Sequence, residues 1–387
     1  MKKIIIVNNN FETGGVQISL NNLLKELHDK FDITILVFSK QGAGIESVPK
    51  DVKIISVKSP YKYLGSSQND MKGKPIKYLF RAIWASLCRI FGRAFVIKLM
   101  GIFQRKITGY DIAISYLHEA SPKVFYGGCN SFVLKHISAP QKITWLHGDF
   151  TLCGANNKYS EKIYRRFDKI VACSDGTKAA FIKCMPHLAE KCFAVRNCND
   201  YKSIRSLSQP AVIYDKDHFN IITVARLSAE KGIDRALNAI RYCSDKGYKI
   251  KYHIVGYGTE EPKLKALTEE LGLVSNVVFY GKQTNPYKYI ANADLFLLTS
   301  YHEAAPMVFD ESLSLGVPVF ATETTSTTEM ILERQGGYVC KNDQKSINKT
   351  LLDILQNTND IGEISNKLRS IKFSNDEITE NLANILN

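Results

Sequence analysis

Short unbroken apolar runs alternate with amphipathic stretches along the whole chain. In the first half, apolar runs lie near 2–8, 32–39, 52–57, 111–116, 141–147, 169–174 and 191–197. Between them, apolar residues recur at helical spacing near 16–30, 76–104, 119–127, 158–168 and 175–185. The pattern restarts at Phe219–Arg226, with further runs near 249–255, 277–280, 294–299, 318–321 and 337–340 and helices between them. Strands that are apolar at nearly every position are buried on both faces, so they belong to parallel sheets covered by helices on both sides. The pattern predicts an α/β protein of two doubly wound Rossmann-like domains facing each other across a cleft. Polar Asn197–Pro210 reads as the linker. Residues 1–200 would form the first domain and 201–370 the second, with 371–387 a helix packing back on the first. Ligands of such sheets bind outside the carboxyl ends of the strands, so the segments that follow strands are where chemistry is expected.

At 387 residues the chain suits two domains. Its net charge of +13 is uneven. Residues 1–200 hold 30 Lys and Arg against 15 acids, and the remainder 21 against 23, so the first half is expected to face something acidic. No apolar run reaches the roughly 18 residues of a membrane-spanning helix. The run at the amino end is too short for a signal peptide and reads as a strand. The nine cysteines include no Cys-x-x-Cys, which fits reduced thiols in a cytoplasmic protein. The eight histidines show no metal-ligand spacing, and no metal or other cofactor is expected.

The most informative segment is Ser300–Val319, which carries Glu303 and Glu311. An apolar strand runs into a short loop that opens a helix near Pro306. That order brings backbone amides and a positive helix end beside two carboxylates. Amides suit phosphate and carboxylates accept from sugar hydroxyls, so a nucleotide sugar meets both demands. The plain alternative is two solvated glutamates flanking a helix start.

Other segments share the strand-end position. Asn8–Gln17 holds Gly14 and Gly15, which either let a ligand approach the backbone or merely make a turn. It lacks the Gly-x-Gly-x-x-Gly pattern of dinucleotide sites. Arg226 and Lys231 follow the first strand of the second half and either clamp a leaving diphosphate or sit solvated in a turn. Gly256 and Gly258 end the next strand, where lack of a side chain admits a flat or charged ligand. Gly281–Asn285 is a candidate base pocket. His147 and Asp149, in Trp145–Phe150, and His118 with Glu119 also end strands. His147 is either structural or turned to the cleft, Asp149 is a weaker hydroxyl contact or base, and His118 either lines a substrate pocket or belongs to a helix cap.

From Met71 to Lys106 there are nine cations (Lys72, Lys74, Lys77, Arg81, Arg89, Arg93, Lys98, Arg105 and Lys106) and no acid, with Phe80, Trp84, Phe91, Phe95 and Phe103 between them. This reads as one or two basic amphipathic helices. They either lie on an anionic membrane surface or pack on the core with a solvated cationic face. No nucleic-acid module accompanies the charge, so nucleic acid is not an expected partner.

Taken together, the glycine loop, the Arg226/Lys231 segment and the Glu303/Glu311 segment resemble glycosyltransferase family 4. The resemblance covers the second half and the first loop and is looser over 40–140. It implies the GT-B fold and metal-free transfer, with retention, from a nucleotide diphosphate sugar (a UDP-sugar is the expected donor). It also implies a saccharide or lipid-linked saccharide acceptor in bacterial surface polysaccharide assembly. By resemblance, Arg226 and Lys231 hold the phosphates and Glu311 the ribose hydroxyls. Glu303, with the amides of Ala305, Met307 and Val308, holds sugar and phosphate. Gly15 approaches the phosphates, and His147 contacts the donor sugar or reacting centre. Many members have glycine where Ala225 and Ala304 stand, so the donor sugar is not assigned from this loop. Rival readings are a sugar-nucleotide epimerase or phosphorylase on the same scaffold and an inactive binding subunit. Localisation is expected to be cytoplasmic and peripheral at the inner membrane face.

Overall fold

The computed structural model describes residues 1–12, 14–66, 71, 73–209 and 212–387. The chain divides into two compact units, Met1–Cys198 with Asn375–Asn387, and Asn199–Ser374.

The first unit is built on a parallel sheet of β1 (Lys3–Asn8), β2 (Asp32–Val37), β3 (Lys53–Ser56), β4 (Ile112–Ser115), β5 (Gln141–Leu146), β6 (Lys169–Ala172) and β7 (Cys192–Ala194), in the order β3-β2-β1-β4-β5-β6-β7. Its helices are α1 (Gly15–Leu27), α2 (Pro75–Phe91), α3 (Arg93–Met100), α4 (Cys129–His136), α5 (Lys158–Tyr164) and α6 (Asp175–Cys184). Alternation along β1 sends Ile4 and Ile6 into one core and Ile5 and Val7 into the other. That is why its run is apolar throughout. The carboxyl-terminal helix of the chain, Asp376–Leu386, buries Ile378, Leu382, Ile385 and Leu386 in the same core as Ile4 and Ile6.

The second unit holds β8 (Phe219–Val224), β9 (Ile250–Val255), β10 (Val277–Gly281), β11 (Leu295–Leu298), β12 (Val319–Thr322) and β13 (Gly337–Cys340), in the order β10-β9-β8-β11-β12-β13. Around it lie α7 (Tyr201–Ser208), α8 (Ile233–Ser244), α9 (Glu261–Glu270), α10 (Tyr287–Ile290), α11 (Met307–Ser314), α12 (Gln344–Gln356) and α13 (Thr358–Ser370). All strand pairs in both sheets are parallel. Each sheet reverses its strand order once, between β1 and β4 and between β8 and β11.

The stretch read as a linker holds the boundary between the two units, at Cys198 and Asn199; it also contains α7, started by the Asp200 carboxylate accepting from the Ser203 amide at 3.0 Å, and Pro210 lies outside the described residues. Two expectations are corrected. The helix expected over 76–104 is two helices, because Gly92 at φ 81 breaks the chain between α2 and α3. The helix expected over 119–127 is loop, and α4 begins at Cys129. Gly127 and Gly128 adopt φ of 117° and 93°, and the Arg93 guanidinium takes the carbonyls of Ala120, Val124 and Tyr126 that a helix would use.

Arg93 also pairs with Glu119, and both side chains are 1% exposed. It is therefore not part of the solvated basic face in which its sequence neighbours placed it. Removing it would leave Glu119 buried without a countercharge, which costs far more than losing a surface cation. Lys72 lies outside the described residues.

Candidate functional site

The reversal between β8 and β11 sets the two most informative loops side by side. β8 exits into Ala225–Lys231 and β11 into Thr299–Pro306. Gly232 must adopt φ 58, and a Cβ there would meet the Thr299 carbonyl oxygen at 2.3 Å. The Thr299 hydroxyl donates to the Gly232 carbonyl at 2.7 Å, and the Tyr301 amide donates to the Glu230 carbonyl at 2.9 Å. These contacts lock the loops together.

Lys231 and Glu303 meet at this junction. The Lys231 ammonium donates to Glu303 Oε1 at 2.6 Å, and the Ser300 hydroxyl donates to the same oxygen at 2.7 Å. Both charged side chains are largely buried, 20% and 10% exposed. Among the described residues, no protein donor is bonded to Glu303 Oε2. The 300–306 loop is held from behind: the Ser326 hydroxyl donates to the Ala304 carbonyl, and Asn342 Nδ2 donates to the Tyr301 carbonyl at 3.2 Å. Neither Ala225 nor Ala304 has a positive φ, so their methyls impose no backbone strain.

α11 starts at Met307, with Pro306 at its cap and no side chain capping it. The first-turn amides of Met307 and Val308 have no carbonyl one turn earlier within the helix. One turn on, Glu311 is only 8% exposed. Burial, and then the charge of neighbouring Asp310, push its carboxyl up to about 7, while a bond from the Tyr287 hydroxyl pulls the other way. Asp310 is itself paired with Arg334 and accepts from Asn199 Nδ2 at 3.3 Å. The second unit thus presents an ammonium–carboxylate pair, a helix amino end and a buried carboxyl within one strand–loop–helix segment and its neighbour.

Arg226 is not drawn into this arrangement. It is 71% exposed and pairs with Glu230 at 3.2 Å. Gly256 and Gly258 use their missing side chains against the protein itself. A Cβ on Gly256 would lie 1.8 Å from the Ala225 carbonyl oxygen, and one on Gly258 2.1 Å from that of Leu227. They let the β9 exit loop lie directly on the β8 exit loop. Gly14 and Gly15 are the reverse case: neither has a positive φ, and added Cβ atoms would meet nothing within 4 Å. Gly256→Ala should therefore cost about 3 kcal/mol from the clash and its φ of 145°. Gly14→Ala should change stability by less than about 0.5 kcal/mol. Denaturant titration of each variant checks the contrast.

In the first unit, His147 follows β5 and packs its ring on Tyr116 at 4.6 Å between centroids. Its Nε2 is shielded from solvent and has no hydrogen-bond partner among the described residues. Burial, and to a lesser degree His118, push its pKa down to about 3, so the imidazole is neutral. His118 caps no helix. Its Nδ1 accepts from the His147 amide at 3.4 Å, and its ring lies where a Cβ on Gly148 would fall, 2.7 Å from Nε2. Burial, then the nearby Arg93 charge, push His118 to about 4. His118 thus positions the His147 backbone. Asp149 Oδ1 accepts from the Thr151 amide at 2.8 Å and from its hydroxyl, which makes it a turn-forming side chain.

No group of three or more His, Cys, Asp or Glu that could hold a metal ion occurs among the described residues. Sequence reading missed Ser300, Tyr287 and the Arg93–Glu119 pair. Ser300 could have been found, since it closes the β11 run three residues before Glu303. The partners of Tyr287 and Arg93 are distant in sequence.

Residues 207–370 match the family model of glycosyl transferases group 1. Over 203 residues the chain is 29% identical to the N-acetylgalactosamine-N,N'-diacetylbacillosaminyl-diphospho-undecaprenol 4-alpha-N-acetylgalactosaminyltransferase of Campylobacter jejuni, covering 52% of this chain and 53% of that one. It is 30% identical over 150 residues to the amylovoran biosynthesis glycosyltransferase AmsK of Erwinia amylovora, covering 36% and 37%. The matches thus span about half or less of the length of these curated relatives. The crystal structure of Anabaena Alr3699/HepE in complex with UDP and glucose superposes with a TM-score of 0.70 at 19% identity, covering 100% of this chain and 99% of that one. At such identity the likeness establishes the fold, which is the two-domain GT-B architecture. Together the findings place a match to glycosyl transferases group 1 over residues 207–370 within a chain of GT-B fold.

Proposed function

We propose that this chain is a retaining, family 4-like hexosyltransferase that moves a sugar from a UDP-sugar, without a metal, to a saccharide or lipid-linked saccharide acceptor in surface polysaccharide assembly. The observation that carries the reading is the 2.6 Å Lys231–Glu303 contact at the β8/β11 reversal. In the proposed donor complex Lys231 turns to the diphosphate, the α11 amides of Met307 and Val308 receive its oxygens, and Glu303 accepts from a sugar hydroxyl. Glu311, ionised, accepts from the ribose. As the bond from the anomeric carbon to the diphosphate breaks, Lys231 and the amides stabilise the charge gathering on the leaving oxygens. The acceptor hydroxyl then attacks from the face that the diphosphate vacates, and its proton leaves on the departing phosphate.

The uridine base is proposed because HepE crystallised in complex with UDP, and the lipid-linked acceptor because diphospho-undecaprenol stands in the name of the Campylobacter relative. His147 of the first unit, with its neutral ring, is assigned by this proposal to contact with the sugar. No helix among the described residues is long and apolar enough to cross a membrane. A cytoplasmic location, peripheral at the membrane, belongs to this proposal. The test is incubation of UDP-sugars with polyprenyl-diphosphate saccharides in chelator. Released UDP, with a glycosidic bond of the donor's anomeric configuration by NMR, is the expected result. An inverted product would overturn retention, and epimerised donor without acceptor consumption would overturn transfer.

A further inference from the structure

α2 is turned the wrong way round for a helix that only packs on a core. Ile76, Leu79, Phe80, Ile83, Ile90 and Phe91 fall on one stripe, about 120° wide at 3.6 residues per turn. The stripe faces outward, with Ile76 71% and Ile90 69% exposed. The side that meets the protein carries Trp84, Ala85 and buried Cys88, and Leu87, within the arc of the stripe, is half-buried against the same core. Past the Gly92 break the apolar surface continues, since the exposed rings of Phe91 and Phe95 touch at 5.0 Å between centroids. Beyond α3, Ile102 and Phe103 are 71% and 75% exposed.

The charges around this surface have one sign. Lys74, Lys77, Arg89, Lys98, Arg105 and Lys106 are exposed, and no acid occurs from 71 to 106. Arg93 is buried, and Arg81 is tied to the Ser66 carbonyl at 2.8 Å and to the Phe125 ring. We propose that the outward face of α2, with Phe95 and the exposed cations of 74–106, is a docking surface for an anionic lipid bilayer. Charge complementarity selects this occupant: the apolar stripe enters the acyl boundary while the cations meet anionic headgroups. A second copy of the chain would set like charges against each other.

The surface is fixed to chemistry-bearing structure within its own unit. Arg93, the first residue of α3, holds the carbonyls of Ala120, Val124 and Tyr126 and pairs with Glu119. Glu119 adjoins His118, which seats His147. A bilayer-docked α2–α3 hairpin is thus held to the sheet end that carries His147. The link to a lipid-linked acceptor rests on the proposed sugar transfer, whereas the docking itself is read without turnover.

The experiment is vesicle cosedimentation of the full chain with phosphatidylcholine alone and with added phosphatidylglycerol. One variant carries Ile76→Ser, Leu79→Ser, Ile83→Ser and Ile90→Ser; another carries Lys77→Gln, Arg89→Gln, Lys98→Gln and Arg105→Gln. All eight sites are exposed, so thermal melts and UDP titration should match the parent and confirm intact folding. The parent should partition onto anionic vesicles, weakly onto neutral ones, and less at high salt. Each variant should lose about a hundredfold in anionic partitioning. Parent protein left in the supernatant, or variants that partition like it, would overturn the proposal. So would a parent dimer that the apolar variant converts to monomer by light scattering.

Discussion

Lys231→Ala is expected to lower kcat/KM for the proposed sugar transfer about a hundred- to a thousandfold, the range for removing one preorganised donor from a developing oxyanion. The reasoning starts from the backbone. Gly232 and Thr299 clamp the β8 and β11 exit loops together, so the Lys231 ammonium is delivered to Glu303 at 2.6 Å. Before the donor binds, this charge is held by a carboxylate, and diphosphate offers it a more strongly charged partner. The loss should fall mainly on kcat, because the diphosphate gains negative charge as the glycosidic bond breaks. Stability should change by about 1 kcal/mol, since Glu303 keeps its Ser300 bond and some access to water. Steady-state kinetics with a thermal melt reads both. Turnover within about threefold of the parent would remove Lys231 from the leaving group.

Glu311→Gln should make the protein more stable and worse at binding nucleotide. The carboxyl is raised to about 7 by burial and by Asp310. In the unfolded chain it ionises near its ordinary value of 4.5. Between these values the folded state binds the extra proton, so the contribution of this group is fully present below 4.5 and is lost as pH rises through 7. The gap corresponds to on the order of 3 kcal/mol. Glutamine keeps an oxygen for the Tyr287 hydroxyl and carries no charge. At pH 8 the variant should therefore melt higher by roughly 5 °C, with little difference near pH 4. UDP affinity of the parent should fall about tenfold from pH 8 to pH 6, because a protonated carboxyl has lost acceptor capacity for ribose hydroxyls. The variant should bind weakly at both values, which separates the effect from titration of the nucleotide itself. Equal melting of both proteins at pH 8 would contradict the burial argument.

The sheets were legible because a strand buried on both faces leaves a local mark. The isoleucine run of β1 could be placed from its own composition, and Glu303 and Glu311 stood out because strand, loop and helix follow one another along the chain. Features that depend on distant partners were not legible. Arg93 counted as one more surface cation until the fold brought Glu119 to it, and the same carbonyl contacts abolish the helix expected over 119–127. Gly256 and Gly258 looked like ligand glycines, whereas the backbone they approach is that of Ala225 and Leu227 on the adjoining loop. The outward roll of α2 was also hidden: periodicity reveals an apolar stripe but not which side of the helix meets the protein.

The central claim is that UDP binds the second unit on Lys231, the start of α11 and Glu311. Calorimetric titration of UDP with excess chelator, at pH 8, into the parent and Glu311→Ala tests it most directly. Saturable metal-free binding by the parent, weakened at least tenfold in Glu311→Ala, is the predicted result. Equal binding by both proteins, or none by the parent, would contradict the account.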